Sequence, residues 1–229
     1  MHRFYLPNFQ QPTLGAEEAH HCLTVLRLKP GDTVNVFDGR GHEAQCRFNE
    51  NGRLTILQQS KTPPLPCRIT LAQAIPKRNM DLIVQKATEL GVSGLVPLIS
   101  ERTLKRPTGT PERWREITLE ACKQSGNNWL PEIQAPQEAR AFLESPGTFD
   151  LKLIASLQPD SKPLKEILAG VSPRSVLILI GPEGDFTPAE LASAKSAGCL
   201  PLSLGPLVLR ADTAALYALS ILHHELQLR

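Results

Sequence analysis

The sequence lacks the features that mark membrane, secreted and metal-binding proteins. It has no apolar run long enough to cross a bilayer, and residues 1–4 do not open an apolar signal sequence. Its five cysteines are dispersed without a C-x-x-C pair, which argues against a disulfide framework or a zinc site. These absences predict a protein of the reducing cytoplasm, with no metal and no membrane contact.

Nucleotide-binding motifs are absent as well. No G-x-G-x-x-G or G-x-x-x-x-G-K-[ST] occurs, which argues against dinucleotide and P-loop binding. The histidine pairs at 20–21 and 223–224 do not make a chelating site, because adjacent helical side chains point about 100° apart. With a net charge of only +2, composition alone does not reveal a nucleic-acid partner.

Residues 1–67 are predicted to form a small β-barrel domain. A short strand (3–6) and a helix (17–26) precede a Pro-Gly-Asp turn, and three strands follow at 33–38, 43–49 and 53–58. Small barrels of this kind are common RNA-binding or scaffold modules. The stiff proline-rich stretch 62–66 cannot enter a sheet centrally, so we place the domain boundary there.

Residues 68–229 alternate strands with helices, which predicts an α/β sheet of about five mostly parallel strands. The strands are expected at 69–74, 94–99, 151–157, 176–180 and 200–204. The helices are expected at 80–90, 111–125, 163–169, 188–197 and from about 211 onward.

Segment 176–214 carries the strongest local signals. Residues 176–180 are an unbroken apolar run, typical of a strand buried on both faces, and the strand stops at Gly-Pro-Glu-Gly. Thr187 to Glu190 form a capping box that opens a helix. A second strand stops at Gly205-Pro206. Parallel sheets bind ligands outside the carboxyl ends of their strands. The two glycine-containing loops are therefore either two ordinary turns or the walls of one shared pocket for a small ligand.

The loops LIGPEGDF and LSLGPLVLRADTA resemble the signature loops of SPOUT-class RNA methyltransferases, specifically the RsmE family. HHCLTVLRLKPGD, QKATELGVSGLVPLISERT and EACKQSGNNWLPEI match in the same order, so the resemblance covers nearly the whole chain. It implies an N-terminal PUA-like β-barrel over 1–67 and an α/β domain with a trefoil knot over 68–229. It further implies methylation of N3 of a uridine in 16S ribosomal RNA, uracil-1498, and a homodimer.

The resemblance also implies S-adenosylmethionine as the cofactor. Ten residues are expected to bind it: Leu157, Ile180, Gly181, Pro182, Gly184, Leu204, Gly205, Leu209, Thr213 and Ala214. Leu157 ends a third strand, and the other nine lie in or beside the two signature loops.

Glu183 and Arg210 are the candidate catalytic residues. Methylation of uracil N3 requires removal of a proton or stabilisation of the resulting enolate, and a guanidinium such as Arg210 can stabilise charge on the uracil oxygens. Glu183 or Asp212 would accept the proton, and the choice between them stays open. The alternative is structural: Glu183 pairs with Arg210, or Arg210 caps a helix.

Candidate RNA contacts lie outside these loops. A basic segment, 101–115, contains Arg102 and Trp114, and it is either an RNA contact or a solvated face with Trp114 in the core. Lys86 and Glu89 are either functional or an ion pair across one helical turn. The remaining candidates from the family motifs are His21, Arg27 and Gln124. Asn127 and Trp129 stand where basic residues are expected, Asp185 replaces a glycine, and Ala211-Asp212 replaces Thr-Glu.

We therefore predict a cytoplasmic, homodimeric methyltransferase that acts on 16S ribosomal RNA or the small ribosomal subunit. One alternative is an RNA-binding ribosome-assembly protein without catalysis, which would not need the cofactor. Another is a SPOUT methyltransferase that modifies a different RNA position, since the loops specify the cofactor better than the substrate.

Overall fold

The computed structural model describes residues 2–104 and 106–227 and divides into two compact units. The first unit comprises the residues up to Pro64 together with Leu119–Leu130. The second comprises Leu65–Thr118 and the chain from Pro131 onward. Segment 119–130 thus groups with the first unit, although the predicted boundary at 67 assigns it to the second domain. No helix in the described ranges is both long and apolar enough to span a membrane.

The elements of the first unit are β1 (Arg3–Tyr5), α1 (Ala16–Thr24), β2 (Thr33–Phe37), β3 (His42–Phe48) and β4 (Leu54–Lys61). The four strands form one sheet in the order β1-β2-β3-β4. β1 pairs parallel to β2, and the other pairs are antiparallel. Alternate residues of β3 are buried, as expected for a sheet with one face on a core. The predicted helix and strands are confirmed, with β4 extending beyond residue 58.

Segment 119–130 joins the first unit through Arg3 and Lys123. The Arg3 guanidinium donates hydrogen bonds to the backbone oxygens of Cys122 and Asn127 and to the Asn128 side chain, and lies 4.1 Å from the centre of the Phe37 ring. The Lys123 ammonium lies 2.7 Å from a carboxylate oxygen of Glu18 and 2.8 Å from one of Glu120. Burial lowers the pKa of Lys123, but these two carboxylates outweigh burial and raise it above its usual value.

Trp129, one of the positions where a basic residue was expected, also has a structural role in this unit. Its indole nitrogen donates a hydrogen bond to the backbone oxygen of Thr62 at 3.1 Å, and its ring packs over Gly41. A Cβ on Gly41 would lie 2.5 Å from that ring, so the position accommodates only glycine.

The second unit contains a parallel sheet. Five of its strands match the predicted ones: β5 (Arg68–Ala74), β6 (Gly94–Ile99), β9 (Leu151–Ala155), β11 (Ser175–Ile180) and β12 (Leu200–Ser203). The two-residue strands β7 (Glu132–Ile133), β8 (Gln137–Glu138) and β10 (Lys162–Pro163) were not predicted, because two residues show no periodicity. The strand order is β10-β12-β9-β11-β5-β6-β7, and β8 also pairs with β6.

Helices cover both faces of this sheet. They are α2 (Met80–Glu89), α3 (Glu112–Ser125), α4 (Ala139–Glu144), α5 (Leu164–Ile167), α6 (Pro188–Ser196) and α7 (Ala211–Gln227). α4 was not predicted. Ile178 and Ile180 of β11 pack into a core with residues of α2 and α7, whereas Leu177 and Leu179 pack with α4 and α6. The unbroken apolar run is therefore buried on both faces, as predicted.

Trp114 belongs to the core of the second unit. Its side chain is 6% exposed, and its indole nitrogen donates a hydrogen bond to Asp81 at 3.1 Å. The core interpretation of Trp114 is therefore confirmed, which removes this side chain from the candidates for base stacking.

The capping box of α6 is confirmed and reaches further than its own helix. Thr187 accepts a hydrogen bond from the Glu190 backbone nitrogen, and the Glu190 carboxylate accepts one from that of Thr187 at 2.8 Å. The other Glu190 oxygen accepts from the backbone nitrogen of Glu101 at 2.9 Å. One nearly buried carboxylate thus holds both the start of α6 and the loop after β6.

Glu190→Ala is expected to lower the free energy of unfolding by about 2–3 kcal/mol, because it leaves two backbone donors without their acceptor. Urea denaturation followed by circular dichroism measures this loss. The exposed Glu116 on α3 supplies the control, since Glu116→Ala removes the same charge without a buried partner. Equal stability of the two variants would contradict the structural role of Glu190.

Candidate active site

A cavity of about 430 Å³ lies where strands β9, β11 and β12 end. The end of β9 and the loop after it contribute residues 155–157, and the end of β11 and the loop after it contribute 180–185. The segment between β12 and α7 contributes most of the rest. β12, β9 and β11 are parallel neighbours, so their carboxyl ends meet at one edge of the sheet. The two glycine-containing loops therefore form one pocket, and a third strand contributes a wall.

Eight of the ten predicted cofactor residues line this cavity. They are Leu157, Ile180, Gly181, Pro182, Gly184, Leu204, Leu209 and Ala214. Gly205 and Thr213 are not among its lining residues. Ala211 and Ala214, one helical turn apart, face the cavity, and Thr213 falls on another side of α7.

Leu207 and Val208 are lining residues that the sequence reasoning did not select. They are 71% and 81% exposed, which is high for aliphatic side chains beside a pocket. The signal was present in the sequence as an apolar run, Leu-Val-Leu, that follows Gly205-Pro206 and lies outside any regular element.

The loop after β11 is a tight turn with little room for side chains. Asp185 donates its backbone N–H to Pro182 O at 3.0 Å, and its carboxylate accepts a hydrogen bond from the Phe186 backbone nitrogen at 2.8 Å. A Cβ on Gly181 would lie 2.7 Å from that carboxylate. Asp185 has φ of +66°, which glycine adopts without strain and aspartate tolerates better than most residues. The substitution of Asp for the expected glycine therefore preserves the turn.

Glu183 and Arg210 both line the cavity, but the described residues show no ion pair between them. The Glu183 carboxylate instead accepts the backbone N–H of Lys77, with nitrogen–oxygen distances of 2.9 and 3.1 Å. Arg210 is exposed, and its backbone oxygen accepts the first hydrogen bond of α7, from Ala214. The Arg210 guanidinium forms no ion pair within the described residues, although its charge contributes to the lowered pKa of Asp212, and it is therefore available for a ligand in the cavity.

Asp212 is turned toward a different partner. Its carboxylate accepts a hydrogen bond from the Asn79 side chain at 2.7 Å and one from the Thr213 backbone nitrogen at 2.9 Å. The Asn79 hydrogen bond is the main reason that the pKa of Asp212 lies below its usual value. Asp212 is not among the lining residues of the cavity.

The candidate RNA contacts are dispersed over both units. The Arg102 guanidinium donates a hydrogen bond to the backbone oxygen of Gly184 and so supports the loop after β11. Lys86 and Glu89 form the predicted ion pair at 2.9 Å, outside the cavity lining. His21, Arg27 and Gln124 are exposed residues of the first unit, and Lys105 of the basic segment lies outside the described residues. No cluster with metal-ligating composition occurs in the ranges 2–104 and 106–227.

Comparison with known proteins adds the family to this geometry. Residues 63–223 match the RNA methyltransferase domain family, and residues 14–56 match the RNA methyltransferase PUA domain. The chain is 36% identical over 215 residues to ribosomal RNA small subunit methyltransferase E of Synechocystis, covering 91% of this chain and 71% of that protein. This protein belongs to the ribosomal RNA small subunit methyltransferase E family.

Two solved structures are similar to this chain over nearly its whole length. The methyltransferase E from Neisseria gonorrhoeae, bound to S-adenosyl methionine, superposes with a TM-score of 0.88 at 34% identity and covers 99% of this chain and 98% of that one. A methyltransferase from Legionella pneumophila in complex with the bound cofactor SAM gives 0.86 at 33%, with 97% of each chain covered. The SPOUT-type α/β fold with a PUA-like first part is therefore confirmed.

Proposed function

We propose that this protein transfers the methyl group of S-adenosylmethionine to N3 of one uridine in 16S ribosomal RNA. The observation that carries the proposal is the cavity at the ends of β9, β11 and β12, which gathers eight predicted cofactor residues beside Arg210 and Glu183. The methyltransferase E family to which the chain belongs, and the S-adenosylmethionine bound in two structures about one-third identical, support it.

The residues of the cavity fit this cofactor. Its volume of about 430 Å³ lies in the range of small-molecule pockets. Leu157, Leu204 and Leu209 offer apolar walls, and Gly181 and Gly184 let the main chain approach a ligand closely. When bound, S-adenosylmethionine supplies the methyl group on a sulfonium, so the protein needs no metal to activate it.

The side chains at the cavity act on the uracil base. Arg210 donates hydrogen bonds to the uracil oxygens and stabilises the negative charge that develops as the N3 proton leaves. Glu183 accepts that proton, because it is the acidic residue next to Gly184 in the cavity lining. Asp212 is the weaker candidate, since it does not line the cavity and its lowered pKa makes it a poorer base.

The RNA contacts and the dimer are further parts of this proposal. His21, Arg27 and Gln124 are exposed in the first unit and would contact RNA there, whereas Arg102 shapes the Gly184 loop and Lys86 pairs with Glu89. A second copy of the chain would cover the exposed Leu207 and Val208 beside the cavity and the half-exposed Tyr217 on α7. The proposed location is the cytoplasm, where the ribosomal RNA substrate is made.

The test is methyl transfer from labelled S-adenosylmethionine to small subunits isolated from cells that lack this enzyme and, separately, to free 16S ribosomal RNA. Nuclease digestion and mass spectrometry then identify the product nucleoside. We expect 3-methyluridine and micromolar cofactor binding by calorimetry. Methylation of ribose or of another base would favour the alternative of a different RNA position. RNA binding without cofactor binding would favour the non-catalytic assembly protein.

A further inference from the structure

A second cavity, of about 710 Å³, lies in the second unit between the β5–α2 segment and residues 106–114. The β5–α2 segment comprises residues 75–79, and the first turn of α2 also lines the cavity. Its ionisable lining residues are Lys77, Arg78, Asp81 and Arg106. Three of the four are basic, so the cavity suits an anionic ligand.

The charged side chains of this cavity differ in whether they already have ion-pair or hydrogen-bond partners. Asp81 is held by hydrogen bonds from Arg113 and Trp114, and Arg106 lies 3.3 Å from a carboxylate oxygen of Glu138. Lys77 and Arg78 are both exposed, and neither side chain has a carboxylate partner among the described residues. Asp81 lines the same cavity but is paired with Arg113, so Lys77 and Arg78 are two adjacent lining cations that form no ion pair of their own within the described ranges.

The β5–α2 segment is tied to both loops of the active site. The Lys77 backbone N–H binds Glu183 in the loop after β11, and the Asn79 side chain binds Asp212 at the start of α7. Asn79 has φ of +67°, a left-handed conformation that costs a non-glycine residue free energy, and its hydrogen bond to Asp212 compensates for part of this cost. Buried Pro76 and Met80 anchor the segment on either side.

We infer that Lys77 and Arg78 bind phosphate groups of the RNA strand next to the nucleotide being methylated, in this second cavity. The inference rests on the proposed function. Glu183 and Asp212 are, in addition, positioning residues that hold the β5–α2 segment against the active-site loops. The hydrogen bonds from Lys77 N–H to Glu183 and from Asn79 to Asp212 thereby couple the binding of the RNA backbone to the placement of the base at Arg210.

The test is the double variant Lys77→Gln/Arg78→Gln in the full-length protein. Lys77 contacts Glu183 through its backbone, so the substitution removes only side-chain charge. With 16S ribosomal RNA as the probe, two lost phosphate contacts should reduce the slope of log K against log salt by about 1.4 and weaken binding about tenfold near 0.15 M salt. Cofactor affinity should not change, and in methyl transfer the KM for RNA should rise more than kcat falls.

The matched control is Arg140→Gln/Lys165→Gln, which removes the same charge from exposed residues of the same unit that line neither cavity. An equal loss of RNA affinity in the control, or an unchanged salt slope in the Lys77/Arg78 variant, would overturn the inference. Thermal stabilisation by millimolar inorganic phosphate that depends on Lys77 and Arg78, combined with an unchanged RNA affinity of the double variant, would also overturn it, since it would indicate a site for a free small anion. Absence of methyl transfer by the wild-type protein would instead refute the proposed function.

Discussion

Gly181→Leu is expected to abolish detectable S-adenosylmethionine binding, with a loss of at least about 100-fold in affinity, or about 2.7 kcal/mol. A Cβ at this position meets the Asp185 carboxylate at 2.7 Å and the backbone of Asp185 and Phe186 at 3.2 Å. These atoms are fixed by the turn hydrogen bond from Asp185 to Pro182 and by the buried Phe186 ring. Because backbone cannot move aside as a flexible side chain can, the loop must open, and its contribution to the cavity is lost.

Calorimetric titration of S-adenosylmethionine into the variant measures this effect, with circular dichroism to establish that the fold is kept. Gly109→Ala is the control, because a Cβ at Gly109 meets no atom within 4 Å and its backbone is not in the left-handed region. Cofactor binding by Gly181→Leu with wild-type affinity would place the cofactor outside this cavity.

Arg210→Ala is expected to reduce kcat for methyl transfer by about 10²–10³-fold, as for the loss of one donor to a developing oxyanion. Arg210 is exposed at the cavity, and its guanidinium forms no ion pair with a carboxylate in the described parts of the chain. Its removal therefore leaves no buried charge without a partner, and stability and cofactor affinity should stay close to wild type. Single-turnover methylation at saturating cofactor and RNA isolates the chemical step.

Arg140→Ala removes an exposed arginine elsewhere in the same unit and serves as the control. Wild-type rates for Arg210→Ala would exclude Arg210 from the mechanism. The same assay separates the two candidate bases. Glu183→Gln keeps an oxygen that accepts the Lys77 N–H but loses basicity, so kcat should fall, whereas Asp212→Asn should affect methyl transfer less. The reverse order would make Asp212 the proton acceptor.

Local patterns in the sequence predicted the elements around the site accurately. These patterns are the apolar run of β11, the capping box at Thr187 and Glu190, and the turn glycines. Each depends on residues only a few positions apart, so it can be identified from the sequence without the tertiary structure. Resemblance to the RsmE family then assigned a cofactor to the loops, and the eight residues that meet at one cavity follow from strands that end at the same sheet edge.

The tertiary structure alone decided which partners the polar side chains take. Glu183 accepts a hydrogen bond from a backbone N–H 106 residues away, and Asp212 accepts one from Asn79, 133 residues away. The sequence offered catalytic roles, a Glu183–Arg210 ion pair or a helix cap by Arg210, and none of these interpretations included the two long-range contacts. The second cavity with Lys77 and Arg78 depends on the same long-range contacts. The grouping of segment 119–130 with the first unit likewise depends on Arg3 and Lys123.

The sequence by itself therefore determined the order of the longer strands and helices, the glycine loops and the family, but not the two-residue strands β7, β8 and β10 or helix α4. The folded chain determined the hydrogen-bond partners of the charged residues and the pocket walls outside the signature loops. The physical reason is the range of the interactions involved. Helix caps, turns and burial periodicity are set by neighbours along the chain, whereas a carboxylate binds whichever donor the completed sheet brings within about 3 Å.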